Sequence, residues 1–236
     1  MSGVLVVSGT GTDVGKTVTT AAVAACALSA GRSVAVLKPA QTGVGAGEPG
    51  DVAEVLRLAG DGVTGVELAR YPEPLAPETA ARRAGMPYVS ARDVAEAAEK
   101  LAASHDLVLV EGAGGLLVRF DAAGATLADA ARLLRAPTLV VSAAGLGTLN
   151  STALTVEALG ARGLACAGVV VGSVPREPDL AVRCNLDDLA VCAGVPLCGV
   201  LPAGAGAVAP VEFRRLAPSW LGSCLGGWGP WASDGH

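Results

Sequence analysis

The chain is poor in aromatic residues and has no cluster of basic residues, and each shortage excludes a class of protein. Aromatic residues make up only 3% of the 236 residues, so valine, leucine and alanine have to fill the core. The net charge of −5, without clustered lysine and arginine, argues against nucleic acid as a partner. With 51% hydrophobic and 17% charged residues, the chain is globular rather than disordered.

No stretch has the features of a membrane span or an export signal. The longest uncharged apolar-rich stretches, such as residues 18–30, contain threonine and serine and are shorter than a bilayer crossing requires. The N-terminus enters a predicted strand directly, with no basic segment or cleavage site before it. We therefore expect a cytoplasmic protein that has no membrane partner.

The six cysteines include no Cys-x-x-Cys pair. Cys26, Cys166 and Cys198 lie in apolar runs, where a thiol behaves as a small hydrophobic side chain. This pattern predicts buried thiols in a reducing compartment rather than a metal site or a redox site.

Apolar strand-like runs alternate with segments of helical periodicity along most of the chain. We predict strands at residues 4–8, 33–38, 106–111, 137–142, 166–172 and 195–201, and helices at residues 18–30, 52–59, 92–103, 126–134, 149–161 and 180–193. Strands that are apolar at every position belong in a parallel sheet with helices on both faces. Ligands of such sheets bind at the carboxyl ends of the strands.

One α/β domain is expected at residues 1–217, because the alternation of strands and helices resumes with the same character after each loop. Residues 43–88 carry several prolines and are predicted to form loops with short helices. The tail at residues 218–236 shows no periodicity, which predicts either a poorly ordered segment or a packing arm.

A turn rich in glycine and threonine joins the first predicted strand to the first helix. From Gly9 to Thr17 it spells Gly-Thr-Gly-Thr-Asp-Val-Gly-Lys-Thr, close to a phosphate-binding P-loop, although the usual motif has glycine in place of Thr10. In such a loop the backbone N–H groups and the N-terminus of the next helix bind phosphate. Lys16 then reaches the β and γ phosphates, and the Thr17 hydroxyl binds Mg²⁺. The sequence therefore predicts a protein that binds a nucleoside triphosphate.

A lysine stands at the end of the second predicted strand. Pro39 favours an extended conformation for Lys38, which places the ammonium group at the ligand edge of the sheet. A lysine at a strand end is usually a solvated surface charge. Beside a P-loop, however, a second cation over the γ-phosphate has an electrostatic function.

Two acidic residues are candidate magnesium ligands. Glu111 ends an apolar strand and is followed by Gly112-Ala113-Gly114-Gly115, and an acid at this position next to a P-loop holds Mg²⁺ directly or through water. The alternative is an exposed residue in a turn. Asp51 begins a predicted helix, where its carboxylate serves either as a helix cap or as a ligand.

The loop from Ala144 to Asn150 lies between a predicted strand and a predicted helix. Free N–H groups of Gly147, Thr148, Leu149 and Asn150 would form an anion site at the helix N-terminus. A plain connecting loop is the alternative.

These motifs together closely resemble those of the dethiobiotin synthase family, over residues 4–202. Members of that family are ATP-dependent carboxylases that close the ureido ring in biotin synthesis. The resemblance is carried by residues 9–17, by Lys38-Pro39 with Thr42, by residues 110–115 and by residues 146–150. The P-loop of the family is one residue longer than the usual motif, which accounts for Thr10.

The resemblance implies a P-loop NTPase-like fold and a homodimer with two active sites near the subunit interface. Its substrates would be 7,8-diaminononanoate, CO₂ and ATP. One amine captures CO₂ as a carbamate, which attacks the γ-phosphate to give a carbamic–phosphoric anhydride, and the second amine then closes the ring. Lys16, Lys38 and Mg²⁺ would offset the repulsion between the carbamate and the phosphate.

The resemblance also assigns roles to individual residues. Lys16 and Lys38 would be catalytic, and the Mg²⁺ ligands would be Thr17, Asp51 and Glu111. The nucleotide would contact Asp13, Val14, Gly15, Lys16, Thr17, Val18, Asp51, Glu111, Gly112, Ala113, Gly114, Gly172, Ser173, Pro202, Ala203 and Gly204. The substrate would contact Thr12, Lys38 and Thr42, and its distant carboxylate would bind, on the neighbouring subunit, the loop formed by Leu146, Gly147, Thr148, Leu149 and Asn150.

One position departs from the family pattern. Gly172-Ser173 stands where familiar members have an Asn-Asp pair that contacts the nucleotide base. By analogy with the reading of DNA bases, such a contact is worth about 1–3 kcal/mol. Its loss predicts that the protein tolerates other triphosphates, such as CTP, beside ATP.

Two other classes share part of this pattern. Dimerising switch ATPases of the plasmid-partition or septum-positioning kind have the same fold, but they carry an additional lysine early in the P-loop, where this chain has Gly9, Thr10 and Gly11. They also use a basic patch or an amphipathic terminal helix, which this chain lacks. Amidating ligases with a related nucleotide domain add a glutaminase domain, for which this chain has no room.

Overall fold

The computed structural model describes residues 3–231. Within this range the chain forms seven strands, namely β1 (Gly3–Gly9), β2 (Val34–Thr42), β3 (Val63–Tyr71), β4 (Leu107–Gly115), β5 (Thr138–Ser142), β6 (Cys166–Val174) and β7 (Leu197–Pro202). The α-helices of the same range are α1 (Lys16–Ser29), α2 (Asp51–Ala59), α3 (Pro77–Ala84), α4 (Ala91–Ala102), α5 (Leu127–Leu134), α6 (Thr148–Gly160), α7 (Leu180–Ala193) and α8 (Pro210–Trp220).

The strands form a single sheet in the order β3-β2-β4-β1-β5-β6-β7, and every neighbouring pair is parallel. The order changes direction at β1, because the chain builds β2, β3 and β4 on one side of it and β5, β6 and β7 on the other. A crevice opens at the carboxyl ends of the strands beside such a reversal, and this is where ligands of doubly wound sheets bind.

Helices cover both faces of the sheet, as the apolar strands predict. Residues of α1, α2 and α8 pack with Leu5 on one face, whereas residues of α4 and α5 pack with Val6 on the other. Residues of α6 and α7 pack with Val140, Val169 and Val171. Successive side chains of a strand point to opposite faces, so a sheet buried on both sides needs apolar residues at every position. The predicted α/β fold is confirmed.

Strand β3 is the element that the sequence interpretation missed. Residues 43–88 were predicted to be loops with short helices, and α3 is a short helix of this kind, but Val63–Tyr71 forms an edge strand paired with β2. Thr64, Glu67 and Arg70 interrupt its apolar run, Thr64 and Gly65 are exposed, and residues 66–70 are only partly buried. An edge strand needs less apolar surface than a central one, which is why the pattern was weak.

Two strands extend beyond their predicted ends. Strand β2 continues to Thr42 and β4 continues to Gly115, so Lys38 and Glu111 lie inside strands rather than at strand ends. The pairing of β2 with β4, however, stops at Leu37 and Val110. Lys38 and Glu111 are therefore the first residues beyond the paired part of these two strands, where the sheet opens toward a ligand.

The C-terminal segment packs against the domain as far as the structure describes it. Helix α8 continues through Pro218 to Trp220, so the predicted boundary after residue 217 falls inside a helix. Leu221 forms a bridge with Gly199, and both Leu221 and Leu225 are buried. A packing arm, rather than a poorly ordered segment, describes residues 218–231, while residues 232–236 lie outside the described range.

The apolar interior also contains thiols. Cys26 and Cys198 are buried and Cys166 is partly buried, in agreement with the prediction from their apolar neighbours. Burial raises the pKa of the Cys26 thiol to about 12, so this thiol stays protonated at neutral pH. None of the helices within residues 3–231 is long and apolar enough to span a bilayer.

Candidate active site

The P-loop lies between β1 and α1 and is closely packed against β6. Gly15 precedes the first residue of α1 and has a φ of 92°, a left-handed conformation that favours glycine. A Cβ atom on Gly15 would lie 2.6 Å from the carbonyl oxygen of Gly172. Glycine is therefore needed here for both its conformation and its lack of a side chain.

Lys16 folds back across this loop. Its Nζ atom donates a hydrogen bond to the carbonyl oxygen of Gly11 at 2.8 Å, and its side chain is buried. Burial and the neighbouring Lys38 lower the pKa of Lys16, and the nearby acidic groups offset this only in part. An ammonium group in these surroundings is stabilised when an anion such as a phosphate approaches it.

A second buried cation lies beside Lys16. Lys38 Nζ donates to Glu111 Oε1 at 2.9 Å and to the carbonyl oxygen of Gly112 at 3.1 Å, and it forms an ion pair with Asp51. Burial by itself would lower the pKa of Lys38, but Glu111 and Asp51 outweigh it, so the pKa is raised. Lys38 therefore remains charged at neutral pH.

The three predicted magnesium ligands come together around this lysine. Thr17 Oγ1 donates to Glu111 Oε1 at 2.9 Å, and Asp51 contacts the same ammonium group as Glu111. The second carboxylate oxygen of Glu111, Oε2, is buried and has no hydrogen-bond partner within residues 3–231. A hydroxyl and two carboxylates are the oxygen donors that Mg²⁺ prefers, so the residues present fit this ion.

Elsewhere in the described part of the chain the side chains provide no comparable site. No group of three or more His, Cys, Asp or Glu side chains within residues 3–231 is arranged to hold a metal ion. The predicted magnesium site does not count as such a group, because only two of its ligands, Asp51 and Glu111, are acidic. The third oxygen ligand is the hydroxyl of Thr17.

A cavity of about 840 Å³ opens over these side chains. Most of the residues that the sequence predicted for the nucleotide phosphates and the reacting end of the substrate line it, namely Thr12, Asp13, Gly15, Lys16, Thr17, Val18, Lys38, Thr42, Asp51, Ala113 and Gly114. Residues that are far apart in the chain, from the P-loop and the start of α1, from the carboxyl-terminal parts of β2 and β4 and from the start of α2, thus face one volume.

Part of the cavity lining was not predicted. It is largely apolar and consists of Ala40, Val118 and the segment at residues 74–77, which follows β3. Because β3 was not recognised from the sequence, nothing indicated that the segment after it returns to the site. Gln41 also lines the cavity and is buried. One feature of the sequence indicated this, namely that Gln41 lies between Lys38 and Thr42 in the same motif.

The residues predicted to contact the nucleotide base do not line this cavity, and of these residues Gly172 lies against the P-loop. A Cβ atom on Gly172 would lie 2.0 Å from the carbonyl oxygen of Val14, so a larger residue at this position has to displace the loop. Ser173 is exposed. Strand β7 ends at Pro202, and the N–H group of Ala203 donates to the carbonyl oxygen of Val174 at 2.7 Å. Gly204 follows with a φ of 79°.

The predicted carboxylate loop also lies apart from the cavity. Helix α6 begins at Thr148, and Leu146 before it is 88% exposed. The Thr148 N–H group is not free, contrary to the prediction, because it donates to the carbonyl oxygen of Gly145 at 3.2 Å. The N–H groups of Gly147, Leu149 and Asn150 have no acceptor within residues 3–231, so three of the four predicted donors remain available.

Comparisons with known proteins show the family to which the chain belongs. Residues 3–210 match the family model described as an AAA domain. The chain is 68% identical to the ATP-dependent dethiobiotin synthetase BioD of Streptomyces avermitilis over 231 residues, which cover 98% of this chain and 96% of the relative. It is 68% identical to the enzyme of the same name from Saccharopolyspora erythraea, with 95% and 97% of the two chains covered. The identity to the Mycobacteroides abscessus enzyme of this name is 50%, with 92% and 97% covered.

Solved structures with a similar fold belong to proteins of low sequence identity. The septum site-determining protein MinD of Pyrococcus horikoshii, in complex with Mg-ADP, has a TM-score of 0.58 at 16% identity, with 92% of this chain and 95% of that chain covered. The cell division protein FtsY of Thermotoga maritima has a TM-score of 0.53 at 20% identity, with 92% and 68% covered. At these identities the likeness concerns the fold alone.

Proposed function

The chain belongs to the ATP-dependent dethiobiotin synthetase family, and we propose that the cavity over Lys16 and Lys38 is its active site. The protein is an ATP-dependent ligase that forms C–N bonds in biotin biosynthesis. The observation that supports this location is that Lys16, Lys38, Thr17 and Asp51 line one cavity beside the P-loop, while the buried Glu111 is bonded to both Lys38 and Thr17. Each of these contacts joins two different elements. Lys38 of β2 contacts Asp51 of α2 and Glu111 of β4, and Thr17 of α1 contacts Glu111.

The proposed reaction joins CO₂ to both amines of 7,8-diaminononanoate. One amine adds to CO₂ and loses a proton, which gives a carbamate. A carbamate oxygen attacks the γ-phosphorus of ATP, the bond from that phosphorus to the β-γ bridging oxygen breaks, and ADP leaves. The second amine then attacks the carbonyl carbon of the resulting anhydride, expels phosphate and closes the five-membered urea.

The two lysines suit the phosphoryl transfer because a carbamate and a γ-phosphate repel each other. Lys16 lies across the P-loop and is placed for the phosphates. Lys38 lies on β2 beside Lys16, lines the same cavity and would bind the carbamate. Preorganised cations in a water-poor site stabilise charge that develops in the transition state. Mg²⁺ bound by Thr17, Asp51 and Glu111 would neutralise further charge on the phosphates.

The cavity also has a surface for the aliphatic part of the substrate. Thr12 and Thr42 line it near the lysines, whereas Pro74, Leu75 and Val118 provide apolar contacts. A chain of methylene groups is stabilised by such a surface because its contact with water is removed.

The distant carboxylate of the substrate would be bound by a second subunit. The loop at Leu146, Gly147, Thr148, Leu149 and Asn150 does not line the cavity of its own chain, and Leu146 is almost fully exposed. Three N–H groups of this loop, at the start of α6, have no acceptor among the described residues, and such groups suit a carboxylate. The proposal therefore includes a homodimer in which this loop completes the cavity of the neighbouring subunit.

The proposal further includes a relaxed choice of nucleotide. Gly172 has no side chain that could contact a base, and Ser173 offers only a short hydroxyl. Pro202, Ala203 and Gly204 lie beside them through the pairing of β6 with β7. We expect kcat/KM for CTP to approach that for ATP, and a preference for ATP of more than a hundredfold would contradict this part.

The test of the proposed function is a product assay. The purified protein is incubated with 7,8-diaminononanoate, bicarbonate, Mg²⁺ and either ATP or CTP, and dethiobiotin is measured by mass spectrometry. Omission of each component in turn, and the Lys16→Ala variant, are the controls. Product that needs all components and is lost in Lys16→Ala supports the proposal, whereas nucleotide hydrolysis without any dethiobiotin contradicts it.

A further inference from the structure

The first turn of α2 is capped by a side chain from another element. The first N–H groups of a helix have no partner within the helix, and a Ser, Thr, Asp or Asn immediately before it usually provides one. Here Gly50 precedes α2 and has no side chain to do so. Instead, Gln41 of β2 accepts a hydrogen bond from the Asp51 N–H group on its Oε1 atom, at 2.8 Å.

The orientation of the Gln41 amide follows from its two partners. Its Nε2 atom donates to the carbonyl oxygen of Thr42 at 3.2 Å, and its Oε1 atom accepts from the Asp51 backbone. The Asp51 N–H group can only donate and the Thr42 carbonyl can only accept, so the opposite orientation would lose both bonds. The side chain is 6% exposed, so water does not replace these partners at low cost.

Gly50 leaves the space that this amide fills. A Cβ atom on Gly50 would lie 2.7 Å from Gln41 Oε1 and 2.9 Å from Gln41 Cδ. Gly50 has a φ of −103°, which any residue can adopt. Its lack of a side chain therefore serves the packing of Gln41 and not an unusual backbone conformation.

Two residues of β2 thus bind Asp51, one through its side chain and the other through its backbone. Lys38 forms an ion pair with the Asp51 carboxylate, and Gln41 binds the Asp51 backbone N–H group. The Asp51 side chain is 36% exposed, so burial does not fix its position. We infer that Gln41 is a positioning residue that fixes the start of α2 and so aims the Asp51 carboxylate at the metal and phosphate end of the cavity.

This inference rests on the proposed role of Asp51 as a Mg²⁺ ligand and adds a residue that acts through it. Outer partners that orient a metal ligand typically change metal affinity by about 10–100-fold when they are removed. We therefore expect Gln41 to affect binding of the Mg²⁺–nucleotide complex, and to have little effect on binding of the nucleotide without metal.

The experiment is calorimetric titration with a non-hydrolysable ATP analogue, once with Mg²⁺ and once with EDTA. Gln41→Met, which has a similar length and lacks both polar atoms, is expected to weaken binding about tenfold in Mg²⁺ and less than twofold in EDTA. Equal weakening in both buffers, or none in either, would overturn the inference. Circular dichroism of the variant without ligand checks the fold.

A second variant disrupts the hydrogen bond between Gln41 and Asp51 without changing Gln41. Gly50→Ala keeps Gln41 and forces its amide away, so it should reproduce the Mg²⁺-dependent loss, and it carries the test if Gln41→Met does not fold. Gly160→Ala is the matched control, because a Cβ atom there meets no neighbour within 4 Å. A Gly50→Ala protein that binds like Gly160→Ala contradicts the inference.

A double variant separates a positioning role from a merely structural one. In an Asp51→Asn background, Gln41→Met should cause less than a twofold further loss in Mg²⁺, because the carboxylate that it positions is absent. A further loss as large as that in the wild type refutes the inference. Dethiobiotin formation by the wild type is measured separately, so a wild type that makes none and still shows the Mg²⁺-dependent pattern refutes the proposed function alone.

Discussion

The ammonium group of Lys38 lies 2.9 Å from Oε1 of Glu111, and both side chains are almost completely buried, at 3% and 1% exposure. They lie on neighbouring strands, immediately beyond the point where β2 and β4 cease to pair. A buried ion pair by itself is weak evidence for stability, because desolvation offsets much of the attraction. Lys38 also pairs with Asp51 and lines the cavity, so a site that binds anions explains this buried cation better.

Replacement of Lys38 tests its catalytic role. Lys38→Ala should lower kcat by at least about a hundredfold, because a cation that stabilises the transition state is lost. It should also lower the free energy of unfolding, since Glu111 remains buried without its partner. Steady-state kinetics per folded protein, with Lys100→Ala as an exposed control, provide the measurement. An effect confined to KM would instead mark Lys38 as a binding group.

Glu111 offers a test of the metal site. Glu111→Gln preserves the shape of the side chain but removes a negative charge, so the Mg²⁺ concentration at half-maximal activity should rise about tenfold. A magnesium titration at saturating ATP measures it. Glu99→Gln changes an exposed acid of α4 and serves as the control. An unchanged Mg²⁺ midpoint in Glu111→Gln would remove Glu111 from the ligand set.

The contact between the P-loop and β6 predicts a large effect at Gly15. Gly15→Ala introduces both a left-handed alanine and a Cβ atom 2.6 Å from the Gly172 carbonyl oxygen, so nucleotide binding should fall by more than about tenfold. Gly31→Ala is a matched control, because Gly31 also has a left-handed φ, of 76°, and a Cβ atom there meets nothing within 4 Å. Equal nucleotide affinities of the two variants would mean that the close approach has no role.

The start of α6 predicts how the enzyme responds to a modified substrate. The methyl ester of 7,8-diaminononanoate lacks the charge that the free N–H groups of Leu149 and Asn150 would bind, so its KM should rise at least about tenfold. The reacting amines are unchanged, so kcat should change little. Steady-state kinetics with the acid and the ester provide the comparison, and equal KM values would rule out this loop as the carboxylate site.

A capping box in α4 predicts a pH-dependent contribution to stability. Ser90 donates to the Asp93 carboxylate from its backbone N–H and its hydroxyl, and these bonds lower the pKa of Asp93. Because the pKa is lower in the folded state, the stabilisation is present above the unfolded-state pKa and is lost as the pH falls through the folded-state value. Asp93→Asn should therefore lower the free energy of unfolding by about 0.3–1 kcal/mol at pH 7, because the negative charge at the start of α4 is lost.

The same variant should approach the wild type in acid. As the pH falls below the unfolded-state pKa of about 3.9 and then through the lower folded-state pKa, the wild-type carboxylate becomes protonated, and the difference between the two proteins should shrink. Urea unfolding at several pH values measures this difference. Glu96→Gln, an exposed acid on the same helix, should show no such pH dependence. A constant difference between Asp93→Asn and wild type across the pH range would contradict the assignment.

The order of residues along the chain determined a large part of this protein. The spacing from Gly9 to Thr17 predicted the P-loop, because a local turn and the helix after it depend on residues close in sequence. The apolar runs predicted a covered parallel sheet, and that fold brings the carboxyl ends of its strands to one edge. This rule predicted that Lys38 and Glu111 lie near each other, whereas Asp51 was assigned to the same site only by the family resemblance.

Contacts between distant segments were decided by the tertiary structure alone. The apolar run of β3 is interrupted by polar residues, and it forms a strand because β2 provides its hydrogen-bond partners. The wall at residues 74–77 reaches the cavity only because β3 lies at that edge. Gln41 caps a helix that begins ten residues later, and no local pattern indicates such a cap. Sequence periodicity reports local propensity and burial, whereas pairing, closure of a cavity and capping from another element depend on the whole fold.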